Sequence, residues 1–282
     1  MKDGNRVKSI FHPSDFSDAS EVAFAHALKI ALAAKAELSV LHATVDSNAE
    51  WDDFPGVREI LARWKLLPEG SPKSAVGKLG IDVHKVLVAS KHPVTACLDF
   101  LDRHPTDLIV LAVHQGEGGM RWLEKSVGKP MARRAGEMTL FIPHGVEGFV
   151  SRADGSVKLR NILIPVTKKP RPQPALEAAV RLIDSLALTE GTVTLLHAGP
   201  DSEMPALKLP EGTGWNWQRW ARDGDPEETI LQAAAELSAD LILMTTDGPD
   251  RFLDGLRGTT SERVLGKADC AVACLPVGSV LG

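Results

Sequence analysis

The sequence predicts an α/β protein made of two tandem copies of one βαβ domain, each a parallel sheet with helices on both faces. Three observations predict it. Short apolar runs alternate with helical patterns along the chain, as right-handed βαβ units require. The same order of runs begins again near residue 159. The closing segments of the two halves then align without a gap: Asp240 of "ADLILMTTDG" answers Asp107 of "TDLIVLAVHQ", and Pro276 of "AVACLPVG" answers Pro143 of "MTLFIPHG".

The first element, "KSIFHPSD" (Lys8 to Asp15), is a strand ending in a turn. "DASEVAFAHALKIALAAKA" follows as a helix, with Asp18 and Glu21 spaced as a capping box and Asp15 stabilising the turn before it. "ELSVLHAT" is the second strand. An insert follows, "AEWDDFPGVREILARWKLLPEGSPKSAVGKLG", in which Phe54, Val57, Leu61 and Trp64 stand at helical spacing. It reads as an amphipathic helix packed on its own domain, with a partner-binding helix as the other reading. "IDVHKVLVAS" is the third strand, "PVTACLDFLDRH" a helix, "DLIVLAVH" the fourth strand, "RWLEKSVGKPMARRA" a helix and "MTLFIP" the fifth strand.

Residues 1–144 are thus the first domain, 145–157 a Gly-rich polar linker with one apolar clamp at Phe149-Val150, and 158–282 the second domain. There "RNILIPVT" answers the first strand and "VTLLHAG" the second, placing Pro165 against Pro13 and His197 against His42. Paired histidines at equivalent strand ends point to a structural, hydrogen-bonded role. "GWNWQRWARDGDPEE" puts Trp215 and Trp217 on one face of a strand, covering a core or the seam between domains, before a helix led by acidic residues.

Bulk properties narrow the function. A chain of 282 residues can bury two cores, and 44% apolar with 24% charged residues is a soluble globular composition. A formal charge of −5 and a pI near 6.0 exclude a nucleic-acid binder that works through a general basic field. No apolar run reaches the roughly 20 residues that span a bilayer, and the N-terminus shows no secretory apolar stretch. The expectation is a cytoplasmic protein without membrane or nucleic-acid partners. Cys97, Cys270 and Cys274 form no disulfide framework and read as buried small hydrophobes; no metal site is expected. The "GKP", "GKL" and "GKA" runs lack the glycine and hydroxyl spacing of a P-loop, and no serine sits in a G-x-S-x-G elbow, so no catalytic residue is assigned.

One stretch carries chemistry: "DGPDRFLDGLRGTTSERVLGKADC", from Asp247 to Cys270. Gly258 with Thr259, Thr260 and Ser261 at a helix start suits an anion, because free N–H groups and the helix dipole point at it and glycine permits close approach. A second reading needs no ligand: Thr259 and Glu262 have capping-box spacing.

This stretch, with "IFHPSDFSDASEVAFAHALKIA" and "ARDGDPEETILQAAAELSADLILMTTDG", resembles the universal stress protein family over both halves of the chain. The resemblance implies two Rossmann-like domains, each with a five-stranded parallel sheet, packed through their last strands as an intramolecular pseudo-dimer. It implies a protein that binds ATP or AMP, or no nucleotide, and whose catalysis is at most slow. The family motif, roughly G-x-x-G-x9-G-(S/T)-x-(S/T), falls in the second half on Thr245, Gly248, Gly258, Thr259 and Ser261, with one glycine missing. By the same analogy Pro165, Val166 and Thr167 (Thr167 standing where the family has an aspartate) hold the nucleoside end, and Ala198 and Met244 line the adenine slot. In the first half Ala112, Gln115 and Lys125 replace the three glycines, so nucleotide binding there is weak or absent. What remains is Pro13, Ser14, Asp15, Ala43 and Ser126.

Asp247 and Asp250 oppose a triphosphate; Arg251 and Arg257, a bridging Mg²⁺, or a preference for AMP would answer this. The leading expectation is an adenine-nucleotide-binding stress sensor or adaptor with an unidentified protein partner, a monomer acting as a pseudo-dimer or a homodimer. The alternatives are a scaffold with vestigial loops and a slow ATPase. A nucleotidyl transferase is disfavoured by the lack of His-x-Gly-His and Ser-Gly-Gly runs.

Overall fold

An aspartate staples the start of each half. Asp107 Oδ2 accepts from the backbone N–H of Lys8 (2.7 Å) and Ser9 (3.0 Å), and Asp240 Oδ2 accepts from Arg160 (2.7 Å) and Asn161 (2.8 Å). The matched "TDL" and "ADL" runs therefore tie the fourth strand of each half to its first. The computed structural model describes residues 7–45, 51, 54–113, 137–210, 214–246 and 260–277.

The first half comprises β1 (Ser9–Pro13), α1 (Asp18–Ala34), β2 (Glu37–Thr44), α2 (Val57–Arg63), a short α3 (Ser74–Gly77), β3 (Asp82–Ala89), α4 (Pro93–Arg103), β4 (Leu108–Val113) and β5 (Met138–Pro143). The second comprises β6 (Asn161–Pro165), α5 (Gln173–Ser185), β7 (Thr192–Ala198), β8 (Asn216–Arg222), α6 (Pro226–Glu236), β9 (Leu241–Thr246), α7 (Thr260–Leu265) and β10 (Ala271–Pro276). The helix expected at "RWLEKSVGKPMARRA" lies outside the described residues.

The ten strands among the described residues join one sheet in the order β3-β2-β1-β4-β5-β10-β9-β6-β7-β8. Pairing is parallel within each half and antiparallel only between β5 and β10, where Phe141 opposes Val272 and Thr139 opposes Cys274. The last strands thus meet as expected, and each covers the other's edge. One continuous apolar core lies under α1 and α5, and a second on the opposite face under α4, α6 and α7. All three cysteines are buried and free. Burial pushes each thiol up to about 12, so none is a ready nucleophile.

The first turn departs from expectation by one residue. Ser17, not Asp18, caps α1, its hydroxyl accepting from the N–H of Ser20 at 3.2 Å. Asp15 explains the shift: its Oδ1 accepts from the N–H and the hydroxyl of Ser17, at 3.0 and 2.6 Å, holding Ser17 extended. Asp18 and Glu21 sit in the first turn, where the dipole favours them.

The linker has its own seat. His26, fully buried on α1, donates Nδ1–H to the Val22 carbonyl (2.8 Å), while its Nε2 accepts from the backbone of Phe149 (3.0 Å) and Val150 (3.1 Å). Gly148 has φ +72° and lies against that ring; a Cβ there would come within 2.4 Å of Nε2, so only glycine fits. The insert closes over the same region. Phe54, Val57, Leu61 and Trp64 are all buried in the first half's core, and Trp64 Nε1 donates to the Arg152 carbonyl at 3.2 Å. The insert therefore packs on its own domain, as its spacing indicated, and on the linker as well.

Trp215 is buried and donates Nε1–H to the Leu188 carbonyl at 3.3 Å; Trp217 packs half-buried on the same core. Both stand at the outer edge of the sheet on or beside β8, far from the seam.

Candidate functional site

In a parallel sheet, a crevice opens beyond the carboxyl ends of two neighbouring strands whose crossovers leave in opposite directions. The strand order puts these switch points between β1 and β4 and between β6 and β9. β9 and the parallel β10 are joined by a crossover that leaves from that edge and includes α7.

In the second half this edge gathers most of the residues expected from sequence. Pro165 ends β6; Val166 is buried, with its N–H donating to the Leu196 carbonyl at 2.8 Å; Thr167 is exposed. Ala198 ends β7, half-buried. Thr245 and Thr246 end β9, both buried, and Thr260 and Ser261 open α7. Met244 is buried too, yet it belongs to the core under α6 and α7, on the opposite side of β9 from Thr245. Gly248, Gly258 and Thr259 lie outside the described residues.

His197 was legible only as a structural histidine. Its Nδ1 donates to the Val166 carbonyl at 3.0 Å, which is the expected hydrogen bond. A carbonyl can only accept, so this bond fixes the proton on Nδ1 and leaves Nε2 of the neutral ring as a bare acceptor. That Nε2 is buried and has no partner among the described residues, although the side chain is only 8% exposed. Gly199 (φ +145°) passes beneath it, where a Cβ would come within 3.1 Å of Nε2. The hydroxyl of Thr246 is likewise buried and unpartnered among the described residues. Such groups cost about 1–3 kcal/mol each unless something hydrogen-bonds them. No sequence signal separates His197 from His42; the difference lies in what the chain brings next to each ring.

In the first half that space is filled. His42 Nδ1 donates to the Ser14 carbonyl at 2.7 Å, copying His197. Phe16, in the left-handed region at φ +62°, stacks on the His42 ring with centroids 3.9 Å apart. Phe54 of the insert meets Phe16 edge-on at 5.1 Å, and Trp51 stacks on Phe54 at 5.8 Å. A bulky residue at positive φ is uncommon, and this aromatic packing holds it there. Pro13 ends β1 and Ala43 is half-buried in β2. The Ser14 hydroxyl is within hydrogen-bonding distance of Ser20 Oγ (3.0 Å), and the Asp15 carboxylate is engaged with Ser17. At the end of β4, Ala112 and Val113 stand where the second half has Thr245 and Thr246. Ser126, Gln115 and Lys125 lie outside the described residues.

A cavity of about 770 Å³ opens at the other side of Phe54, between the insert and β3, with Trp51, Arg58, Lys73 and Lys85 among its walls. Trp51 is 57% exposed there. Among the described residues no cluster of His, Cys, Asp or Glu could hold a metal ion, and no helix is long and apolar enough to cross a membrane.

Comparison with known proteins bears on this arrangement. The sequence model of the universal stress protein family matches residues 7–143 and 217–276. Among curated proteins none matches by sequence. Of solved structures, a universal stress protein from Archaeoglobus fulgidus superposes with TM-score 0.58 at 16% identity, covering 95% of this chain and 97% of that one. A functionally unknown protein from Pseudomonas aeruginosa PAO1 gives 0.55 at 14%, covering 98% and 94%. The cytoplasmic domain of a prokaryotic cation chloride cotransporter gives 0.50 at 12%, covering 98% of both chains. At such identities the superpositions speak for the fold alone.

Proposed function

Because this chain belongs to the universal stress protein family, we propose that it binds one adenine nucleotide, AMP or ATP, at the carboxyl edge of β7, β6 and β9 and works as a sensor or adaptor. The observation that carries this reading is two buried polar atoms at that edge with no partner among the described residues, His197 Nε2 and Thr246 Oγ1. Nε2 calls for a ligand donor, which the exocyclic amine of adenine or a ribose hydroxyl supplies. Thr246 accepts or donates. The hydroxyls of Thr260 and Ser261 at the start of α7 suit a phosphate. These residues fit a nucleotide better than their counterparts in the first half, where an aromatic stack and Val113 take the corresponding places.

Thr167 in place of the family's aspartate removes one carboxylate from the nucleoside end. Asp247 and Asp250 add negative charge in sequence beside Gly248. AMP is therefore expected to bind without metal, and ATP only with Mg²⁺ as a bridge. Mass spectrometry of small molecules released from freshly purified, denatured protein, followed by calorimetric titration, tests the reading. One adenine nucleotide per chain is expected, with affinity lost in Gly258→Asp. Absence of released nucleotide together with no heat at millimolar AMP or ATP·Mg²⁺ would refute it. A scaffold reading keeps one observation in its favour, the exposed Trp51 on the insert, and predicts a partner lost in Trp51→Ala with nucleotide binding intact.

A further inference from the structure

The insert between β2 and β3 is extra to the repeat: among the described residues, the second half passes from β7 to β8 with no α-helix between them. Strand pairing does not require it, since β3 is matched to β2 from Asp82 to Ala89. What the insert builds is the cavity of about 770 Å³ against β3, the end strand of the sheet. That volume lies within the roughly 300–1,000 Å³ typical of small-molecule sites. Its walls are braced at two points. Arg58 of α2 donates from Nη1 to the Ser71 carbonyl at 3.1 Å, tying α2 to the turn before α3. Lys35, just past α1, donates from Nζ to the Leu79 carbonyl at 2.7 Å, tying the far end of the insert to the first helix.

The lining combines two chemistries. Phe54, Val57 and Ile81 are buried side chains among the walls and give the cavity an apolar side. Trp51 extends that side: its ring stacks on Phe54 at an interplanar angle of 18°, ends the row of rings that starts at His42, and remains exposed. A ring at the end of a stack keeps a face for another flat ring. Charge supplies the second chemistry. Arg58, Lys73 and Lys85 outnumber Glu59 and Asp82 in the walls. Each carboxylate already has a partner, Glu59 lying 3.9 Å from Arg58 and Asp82 lying 3.4 Å from His84 Nε2. Lys85 is half-buried with Nζ 5.7 Å from the centroid of Phe54, which places an ammonium at the border of the apolar side.

We propose that this cavity binds a small aromatic anion, a flat ring bearing one carboxylate, with the ring against Trp51 and the apolar side and the carboxylate facing Lys73 and Lys85. The proposal is independent of the nucleotide reading, whose crevice lies in the other half of the chain. Gly77 supplies a means of closing the cavity. It belongs to the wall, and a Cβ there would meet nothing within 4 Å. As the last residue of α3 it gains helix propensity on substitution, so Gly77→Phe adds a ring to the wall without straining the backbone.

1-Naphthylacetate and its uncharged amide, 1-naphthylacetamide, share ring and shape and differ in charge. Calorimetric titration of the full chain with each is expected to show one site that takes the carboxylate about fivefold more tightly. Gly77→Phe is expected to weaken both probes by about tenfold. The double variant Lys73→Gln/Lys85→Gln is expected to weaken the carboxylate about fivefold and to leave the amide unchanged. No heat from either probe at millimolar concentration, equal affinity of the two probes for the wild type, or unchanged affinity in Gly77→Phe each overturns the proposal. If Gly77→Phe fails to fold, the lysine variant decides, and a carboxylate-to-amide ratio equal to that of the wild type overturns it.

Discussion

His42 and His197 occupy the same place in the two halves and donate Nδ1–H to the same kind of backbone carbonyl, yet their surroundings are opposite. Around His42 the turn and the insert deliver Phe16, Phe54 and Trp51, and the crevice closes with rings. Around His197 no ring stacks among the described residues, and a buried nitrogen is left without a partner. One scaffold thus surrounds the two equivalent histidines differently, with stacked rings at His42 and, among the described residues, an unpartnered Nε2 at His197. The difference teaches that a duplicated fold preserves its backbone logic, such as the Asp107 and Asp240 staples, while turns, insert and strand-end residues differ in what they place beside the same histidine.

The comparison is sharpened most by acid. His12 and His26 are buried in the first half, and burial lowers each from 6.5 to about 4. Their counterparts in the second half are Ile164 and Ala178. Since the folded values lie below the unfolded one, the unfolded chain takes up protons first. Stability is full above about pH 6.5 and falls until about pH 4, by about 3 kcal/mol for each histidine. Urea midpoints between pH 7 and 4 should drop accordingly, and the Phe149 and Val150 amides, which donate to His26, should lose exchange protection before the β7 amides. A flat profile, or earlier loss in the second half, breaks the asymmetry.

A smaller effect is expected from Phe54→Ala. The ring is 3% exposed and joins the core to the His42 stack, so truncation should cost about 3–5 kcal/mol in urea unfolding. It should not create a second nucleotide site, because Ala112, Gln115 and Lys125 still replace the loop glycines; a stoichiometry of two would show that the plug alone silences the first half. Least in stability is Thr246→Val, which copies Val113. Removing a hydroxyl that has no partner among the described residues should raise stability by about 1 kcal/mol, the low end of that cost. AMP affinity should nonetheless fall several-fold by calorimetry, and an unchanged affinity would remove Thr246 from the site.

Much of the architecture was legible because it is written in local periodicity. Apolar runs and helical spacings marked every described strand, and Phe54, Val57, Leu61 and Trp64 marked the buried side of the insert. The meeting of the last strands followed from the family resemblance, not from spacing. Local chemistry was harder at the level of single residues: Asp18 has the right spacing to cap α1, but Asp15 and the left-handed Phe16 hand that role to Ser17. Of the candidate site, the strand-end residues were named from the family motif, whereas the unpartnered atoms of His197 and Thr246 had no signal in the sequence.

By itself, then, the sequence determined the duplication, the strand and helix order, and which loop keeps glycine and hydroxyls, since each depends on neighbours a few residues apart. Tertiary structure alone decided that His26 would seat the linker and that Phe16 and Phe54 would close one crevice. Those outcomes depend on groups far apart in the chain. Their free energies come from burial and hydrogen-bond satisfaction, and these exist only once distant segments have displaced water from one another.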